Sequence, residues 1–241
     1  MKRSQTGLSL IELMVALALG LVVTLGVLNI FIASKNTYLT QNAGAAMQED
    51  ARYVLSKMAQ EIRMVGMFGC LATITAPSTN ASVFTAAHDA PISYTTSSAG
   101  NVLTLTTADV GTTGGTPTWT VLSDCVTSAT AYNGTATPAS GQIKFPIHQV
   151  VYTYKNNVLY TGSGTSIQPL ISNVSVFDVT FGLAATATDT LVSSYSATAT
   201  NPALIRSVRI SLTLTDPNIT ATTRMRDQTF NIVAALRNRL P

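Results

Sequence analysis

Residues 7–26 read GLSLIELMVALALGLVVTLG, an apolar run with one carboxylate, Glu12, near its start. From Leu13 the apolar stretch continues for twenty-one residues to Ala33, with only Gly20, Thr24, Gly26 and Asn29 interrupting it. A helix of that length covers about 30 Å, the thickness of a bilayer's hydrocarbon core. Lys2 and Arg3 form a basic start, but no A-x-A-like cleavage site follows the apolar run, so it differs from an ordinary secretory signal and is expected to be retained. The basic flank places the N-terminus in the cytoplasm and everything past Lys35 outside. A carboxylate at mid-bilayer costs about 2.5–3.5 kcal/mol even on lenient insertion scales. Glu12 therefore either meets a positive partner or snorkels to the headgroups beside Lys2 and Arg3.

The rest of the chain fits that topology. Of 241 residues only 10% are charged, against roughly 25% in an average soluble protein, and Ser, Thr and Ala fill the difference. The formal net charge is +3, of which Lys2 and Arg3 supply two. Six arginines (Arg206, Arg209, Arg224, Arg226, Arg237, Arg239) stand against Asp216 and Asp227 in the last part of the chain. They read first as a solvated strand face and second as a docking surface for an acidic partner. No dense Lys/Arg run or recognisable motif points to nucleic acid. The two cysteines, Cys70 and Cys125, are expected to form one disulfide in an oxidising compartment, since no CxxC or Cys/His spacing supports a metal pair.

Beyond the membrane segment, Met47, Ala51, Val54, Leu55, Met58, Ile62 and Val65 recur at spacings of three and four, the signature of an amphipathic helix. Glu49, Asp50, Arg52, Lys57, Gln60, Glu61 and Arg63 are read as lying largely off that stripe, and Gly66 and Gly69 as the stop. One helix over 10–66 would extend roughly 85 Å. From Leu71 the period changes to two. Residues 102–107, 150–162, 174–183, 205–216 and 224–236 read as strands, with a hairpin turn at Lys155-Asn156-Asn157 and another turn at Asp216-Pro217-Asn218. Val208, Ile210, Leu212 and Leu214 share one face, as do Phe230 and Ile232 on the partner strand. Stretches rich in Thr, Ser, Ala and Gly at 73–90, 108–118, 127–142 and 184–203 read as loops or insertions. The expected architecture is α+β: a long N-terminal helix packed on an antiparallel β-sheet head.

The segment KRSQTG–LSLIEL resembles the class III leader of type IV pilins and pseudopilins. The resemblance implies a leader of residues 1–7, cut after Gly7 by a prepilin peptidase, with N-methylation of the new terminus, Leu8. The family usually has Phe where this chain has Leu8. Glu12 then becomes the fifth mature residue, which in this family meets the α-ammonium of a neighbouring subunit during assembly. The implied division is a transmembrane helix over 8–33, an extracytoplasmic amphipathic helix over 34–66 and a β-rich pilin head over 67–241. Asn29 stands where many major pilins carry a helix-breaking Pro. EIRMVGMFGC (61–70) and VAALRNRLP (233–241) resemble the minor pilins of the PilW group.

No enzymatic constellation accompanies these features. His88 and His148 lie in separate segments without ligand-spaced carboxylates or cysteines, so no metal is expected. No G-x-S-x-G elbow and no phosphate-binding glycine pattern is present. Scattered Asp residues in 178–216 form no calcium-type run. No cofactor is expected. The resemblance implies a non-enzymatic minor pilin that takes part in starting a type IV pilus at or near its tip. Its implied partners are other minor pilins, the major pilin, the prepilin peptidase and the inner-membrane assembly platform. Its implied location is the inner membrane, with the head in the periplasm, and then the pilus. A J-type minor pseudopilin of a type II secretion system, and a tip adhesin or DNA-uptake subunit, are the alternatives.

Overall fold

In the computed structural model, the described residues are 9–77, 81–109, 115–164, 166–216 and 227–239. The chain divides into two compact units, one of residues 1–46 with 216–225 and one of 47–215 with 226–241. The long helix α1 (Leu10–Met64) contributes to both.

In the first unit every large apolar side chain from Leu10 to Ile32 is exposed. A helix apolar on all sides needs an apolar medium around it, either lipid or other helices. The one hydroxyl in this run is satisfied internally, since Thr24 Oγ1 donates to the Gly20 carbonyl at 2.7 Å. Asn29 does not break the helix.

In the second unit, the stripe from Met47 through Ile62 is buried, as the three-four spacing requires. The helix stops at Met64, two residues short of the expected end. Gly66 takes a positive φ of 78°, which a glycine adopts without a Cβ clash, and its N–H turns away to the Thr106 carbonyl at 3.2 Å.

The rest of this unit comprises α2 (Ala81–Asp89) and eleven strands: β1 (Ile92–Ser97), β2 (Gly100–Ala108), β3 (Trp119–Ser123), β4 (Ala129–Asn133), β5 (Ile143–Lys155), β6 (Val158–Ser163), β7 (Ser166–Ser172), β8 (Val174–Leu183), β9 (Ser194–Ser196), β10 (Ile205–Leu214) and β11 (Gln228–Ala235). They form two sheets rather than one, with every strand pair antiparallel. The larger runs β1-β2-β5-β3-β4, with β6 on β5 and β7 on β6; the smaller runs β11-β10-β8-β9. This is the expected α+β fold, a long N-terminal helix on antiparallel sheets. Asn156 and Asn157 take φ of 51° and 60° at the β5–β6 hairpin, both positive as a two-residue I′ turn requires.

Residues opposite one another in a ladder share a face, and this assigns the two sides of the larger sheet. Leu103, Leu105, Val150 and Tyr152 face α1. Ile147, Trp119 and Val121 face the other way and meet Phe68, Phe84 and Ala87 in a separate buried cluster. The two sheets are tied by polar side chains of the larger one bonding the backbone of β8. Tyr94 donates to the Phe177 carbonyl at 2.9 Å, Asn101 to the same carbonyl at 3.2 Å, and Tyr154 to the Ser175 carbonyl at 2.9 Å. Burial, with the Asp178 charge second, pushes the Tyr94 hydroxyl up to about 12, so it remains a donor.

Three of the expected loops contain structure. The 73–90 stretch holds α2, 127–142 holds β4, and 184–203 holds β9 and a 3-10 turn at Pro202–Leu204. Each is short and built from Ala, Ser and Thr, so tertiary contacts set its conformation while its own periodicity is weak. The expected turn at 216–218 lies mostly outside the described residues, and so does much of 108–118.

Candidate functional site

Glu12 sits in the first turn of α1, where the Ser9 carbonyl accepts its N–H at 3.0 Å. A negative side chain there is favoured by the helix dipole. The Glu12 side chain is exposed on an apolar surface, and no cation pairs with it among the described residues. The most apolar 18-residue window of α1 has mean hydropathy 2.6 and is wholly exposed, so by length and composition the helix can cross a membrane. This surface can take up lipid or other apolar helices, and its carboxylate can accept one cation. Gly7 and Leu8 lie outside the described residues.

The head holds a buried charge that the sequence reading misplaced. Glu61 is fully buried, not on the polar side of α1. Its Oε1 pairs with Lys57 Nζ one turn earlier, and its Oε2 accepts the Tyr152 hydroxyl of β5 at 2.6 Å. Burial foremost, and then the Glu61 charge, hold the Tyr152 phenol well above its ordinary range, so it stays a donor. Lys57 is partly exposed, with 24% of its side chain accessible. The network ties α1 to the centre of the larger sheet. Its signal was present in the spacing: Glu61 stands seven after Val54, three after Met58 and four before Val65, which is on the stripe.

The arginine cluster also divides differently from the expected strand face or docking surface. Arg206 is buried and donates at 2.7 Å to each of three carbonyls, those of Asp189, Ala203 and Ala187. It holds the 184–204 segment in place and cannot reach a partner. Arg209 and Arg237 are exposed, while Arg224, Arg226 and the Arg239 side chain lie outside the described residues.

Cys70 and Cys125 are joined by a disulfide, with their Cα atoms 5.4 Å apart. The bond ties the segment after α1 to the β3–β4 turn. Cys125 there takes a positive φ of 58°. Asp124 organises this turn, its carboxylate accepting the N–H groups of Val126, Thr127 and Ser128 at 2.8–2.9 Å. Those bonds, the Ser128 N–H first, hold the Asp124 carboxyl well below the usual carboxylate range.

The two histidines stay apart. His88 lies on α2 with its ring 4.8 Å from that of Phe68, while His148 lies in β5 on the α1 side of the sheet. Among the described residues no three His, Cys, Asp or Glu side chains gather as metal ligands.

Against known proteins, residues 2–28 match the family described as the prokaryotic N-terminal methylation motif. The match spans the leader and most of the apolar run and none of the head. No curated protein is significantly similar to the chain. The N-terminal match supports a class III leader, and with the apolar helix it supports membrane anchoring. It indicates a type IV pilin or pseudopilin.

Proposed function

We propose that this chain is a minor pilin of the PilW group, a non-enzymatic subunit that takes part in initiating a type IV pilus at or near its tip. The observation that carries the reading is the methylation-motif match over residues 2–28, followed by an apolar helix exposed on all sides with Glu12 in its first turn. Membrane insertion accounts for the helix while the subunit waits, and helix–helix burial accounts for it in a filament. Its other partners are the major pilin, further minor pilins, the prepilin peptidase and the inner-membrane platform, with the head in the periplasm. The proposed division is 1–7 leader, 8–33 transmembrane, 34–66 amphipathic helix and 67–241 head. A J-type pseudopilin is the second reading, because the same motif serves both systems. The adhesin or DNA-uptake reading loses part of its support, since Arg206 is sequestered in the head.

Processing comes first. In cells with the peptidase, intact mass should show a chain that starts at a methylated Leu8, the preceding residues through Gly7 having been removed. An uncut Met1 chain in such cells removes the pilin reading.

Glu12 tests the assembly role. Its proposed partner is the α-ammonium of a neighbouring subunit, in a low-dielectric setting where unpairing costs about 3–5 kcal/mol. Glu12→Ala should leave cleavage and insertion intact, because it removes a polar group from an apolar helix. Association with other minor pilins should weaken by about 100-fold or more, as that free energy implies. Co-purification and surface pilus number measure it, the latter in a background with retraction blocked. Normal assembly of Glu12→Ala would reduce the carboxylate to a snorkelling group. Loss of protein secretion with pili intact would favour the pseudopilin, and loss of binding alone the adhesin. Unchanged pilus number in a full deletion with retraction blocked would end the initiation reading.

A further inference from the structure

β5 is thirteen residues long and is shared along one edge by two strands. β3 pairs with Ile143–Ile147 and β6 with Val151–Lys155, while β2 runs unbroken along the opposite edge. Positions 148–150 therefore face a notch where, among the described residues, that edge of β5 has no ladder partner and the Gln149 N–H is taken up by Thr118 Oγ1 at 2.9 Å. A cavity of about 440 Å³ opens at this notch, lined among others by Lys57, His148, Gln149, Thr161, Ser163 and Gln168. That volume lies within the range of small-molecule sites, but the lining is polar rather than apolar.

His148 is the feature that a ligand can engage. It is 7% exposed, and its imidazole has no hydrogen-bond partner among the described residues. Its nitrogens are not sealed in the core, since among the described residues the buried side-chain atom without a partner is Ser207 Oγ. They therefore open onto the cavity, where a bound molecule can take the place of water as their partner. Lys57 stands on the same cavity. Glu61 occupies one of its three ammonium donors and leaves the others available.

We propose that this notch binds a small hydroxylated carboxylate of about the size of a uronic acid. Among the described residues no Asp or Glu lines the cavity, and the imidazole, ammonium, amide and hydroxyl groups supply hydrogen-bond donors for a carboxylate. The Gln168 amide and the Ser163 hydroxyl can both give and accept, which suits ligand hydroxyls, while the Thr161 hydroxyl is already bonded to Tyr152. Because Glu61 offsets the Lys57 charge, recognition rests on donors more than on net potential. That favours a monoanion over phosphate or a polyanion. The site is independent of the assembly reading, which is tested by piliation, whereas this one is tested by binding.

The two histidines make the test internally controlled. The full chain in detergent micelles, labelled on histidine, is titrated at fixed pH and ionic strength with sodium glucuronate, glucose and inorganic phosphate. Glucuronate should move the His148 ring signals saturably and leave those of His88 in place. Glucose should move neither, and phosphate should bind about tenfold more weakly or not at all. His148→Leu should abolish the calorimetric response to glucuronate. Gln168→Ala, at an exposed position that tolerates change, should weaken it several-fold and keeps the test alive if His148→Leu does not fold. The proposal is overturned by no saturable shift, by equal shifts at both histidines, by glucose matching glucuronate, by phosphate binding more tightly, or by full affinity in Gln168→Ala.

Discussion

Replacing Lys57 by methionine should lower the stability of the head by about 3 kcal/mol, the low end of what breaking a buried ion pair costs. Methionine keeps the length and the helix propensity, so the change isolates the charge. Glu61 would keep the Tyr152 hydroxyl at 2.6 Å but lose its cation, and it is too deeply buried for water to replace it. The low end applies because Lys57 is itself partly exposed and less desolvated than its partner. In thermal unfolding this corresponds to a fall of about 6–12 °C for a unit of this size. Tyr152→Phe should cost less, about 1.5–3 kcal/mol, the usual worth of a hydrogen bond to a charged group. The informative variant is the triple change Lys57→Met, Glu61→Leu, Tyr152→Phe. Replacing a whole buried polar network by apolar side chains is often neutral, so it should recover most of the loss. A Lys57→Met head within about 0.5 kcal/mol of wild type would mean that Glu61 finds another partner, and the anchoring role would fall.

The network also shows where reading the sequence succeeded and where it stopped. Long elements with a strong period were legible: the α1 stripe, the alternation in β8 and β10, and the Asn156-Asn157 turn. Pairing of Ile210 with Ile232 and of Leu212 with Phe230 follows from the shared apolar face. Residue type obscured Glu61, because a glutamate next to Arg63 and Gln60 reads as solvated even when its spacing places it inside. Arg206 misled for the same reason, and its three carbonyl partners come from a segment with no period of its own. The strands β3, β4 and β9 are three to five residues long, too short for alternation to stand out from chance. The notch at His148 depends on which two strands share an edge of β5, and local sequence does not carry that information.

Removing the disulfide by Cys70→Ser with Cys125→Ser should have the largest effect on the head. The bond closes a loop with a sequence separation of 55, worth about 4 kcal/mol in the chain-entropy account. Changing both residues avoids a stray thiol that could form other bonds. The loss should also be uneven. The bond reaches from the segment after α1 to the β3–β4 turn, and that segment carries Phe68 into the cluster with Phe84, Trp119 and Ile147. Phe68 meets Phe84 edge-on with ring centres 5.8 Å apart, and Phe84 meets Trp119 in the same way. These contacts hold α2 to the sheet, so slackening at Cys70 should pass through Phe68 to α2. The turn itself should stay closed, because the Asp124 carboxylate still takes its three backbone N–H groups without help from sulfur. Hydrogen exchange should therefore rise over residues 66–77 and 81–89 while β8 and β10 remain protected. Those two strands draw their stability from Phe177, Phe181, Ile210 and Leu212, buried in the smaller sheet and outside the cluster around Phe68. Uniform acceleration across the head would show that the bond acts only through the unfolded chain, and unchanged exchange near Phe68 would show that the aromatic cluster holds α2 alone.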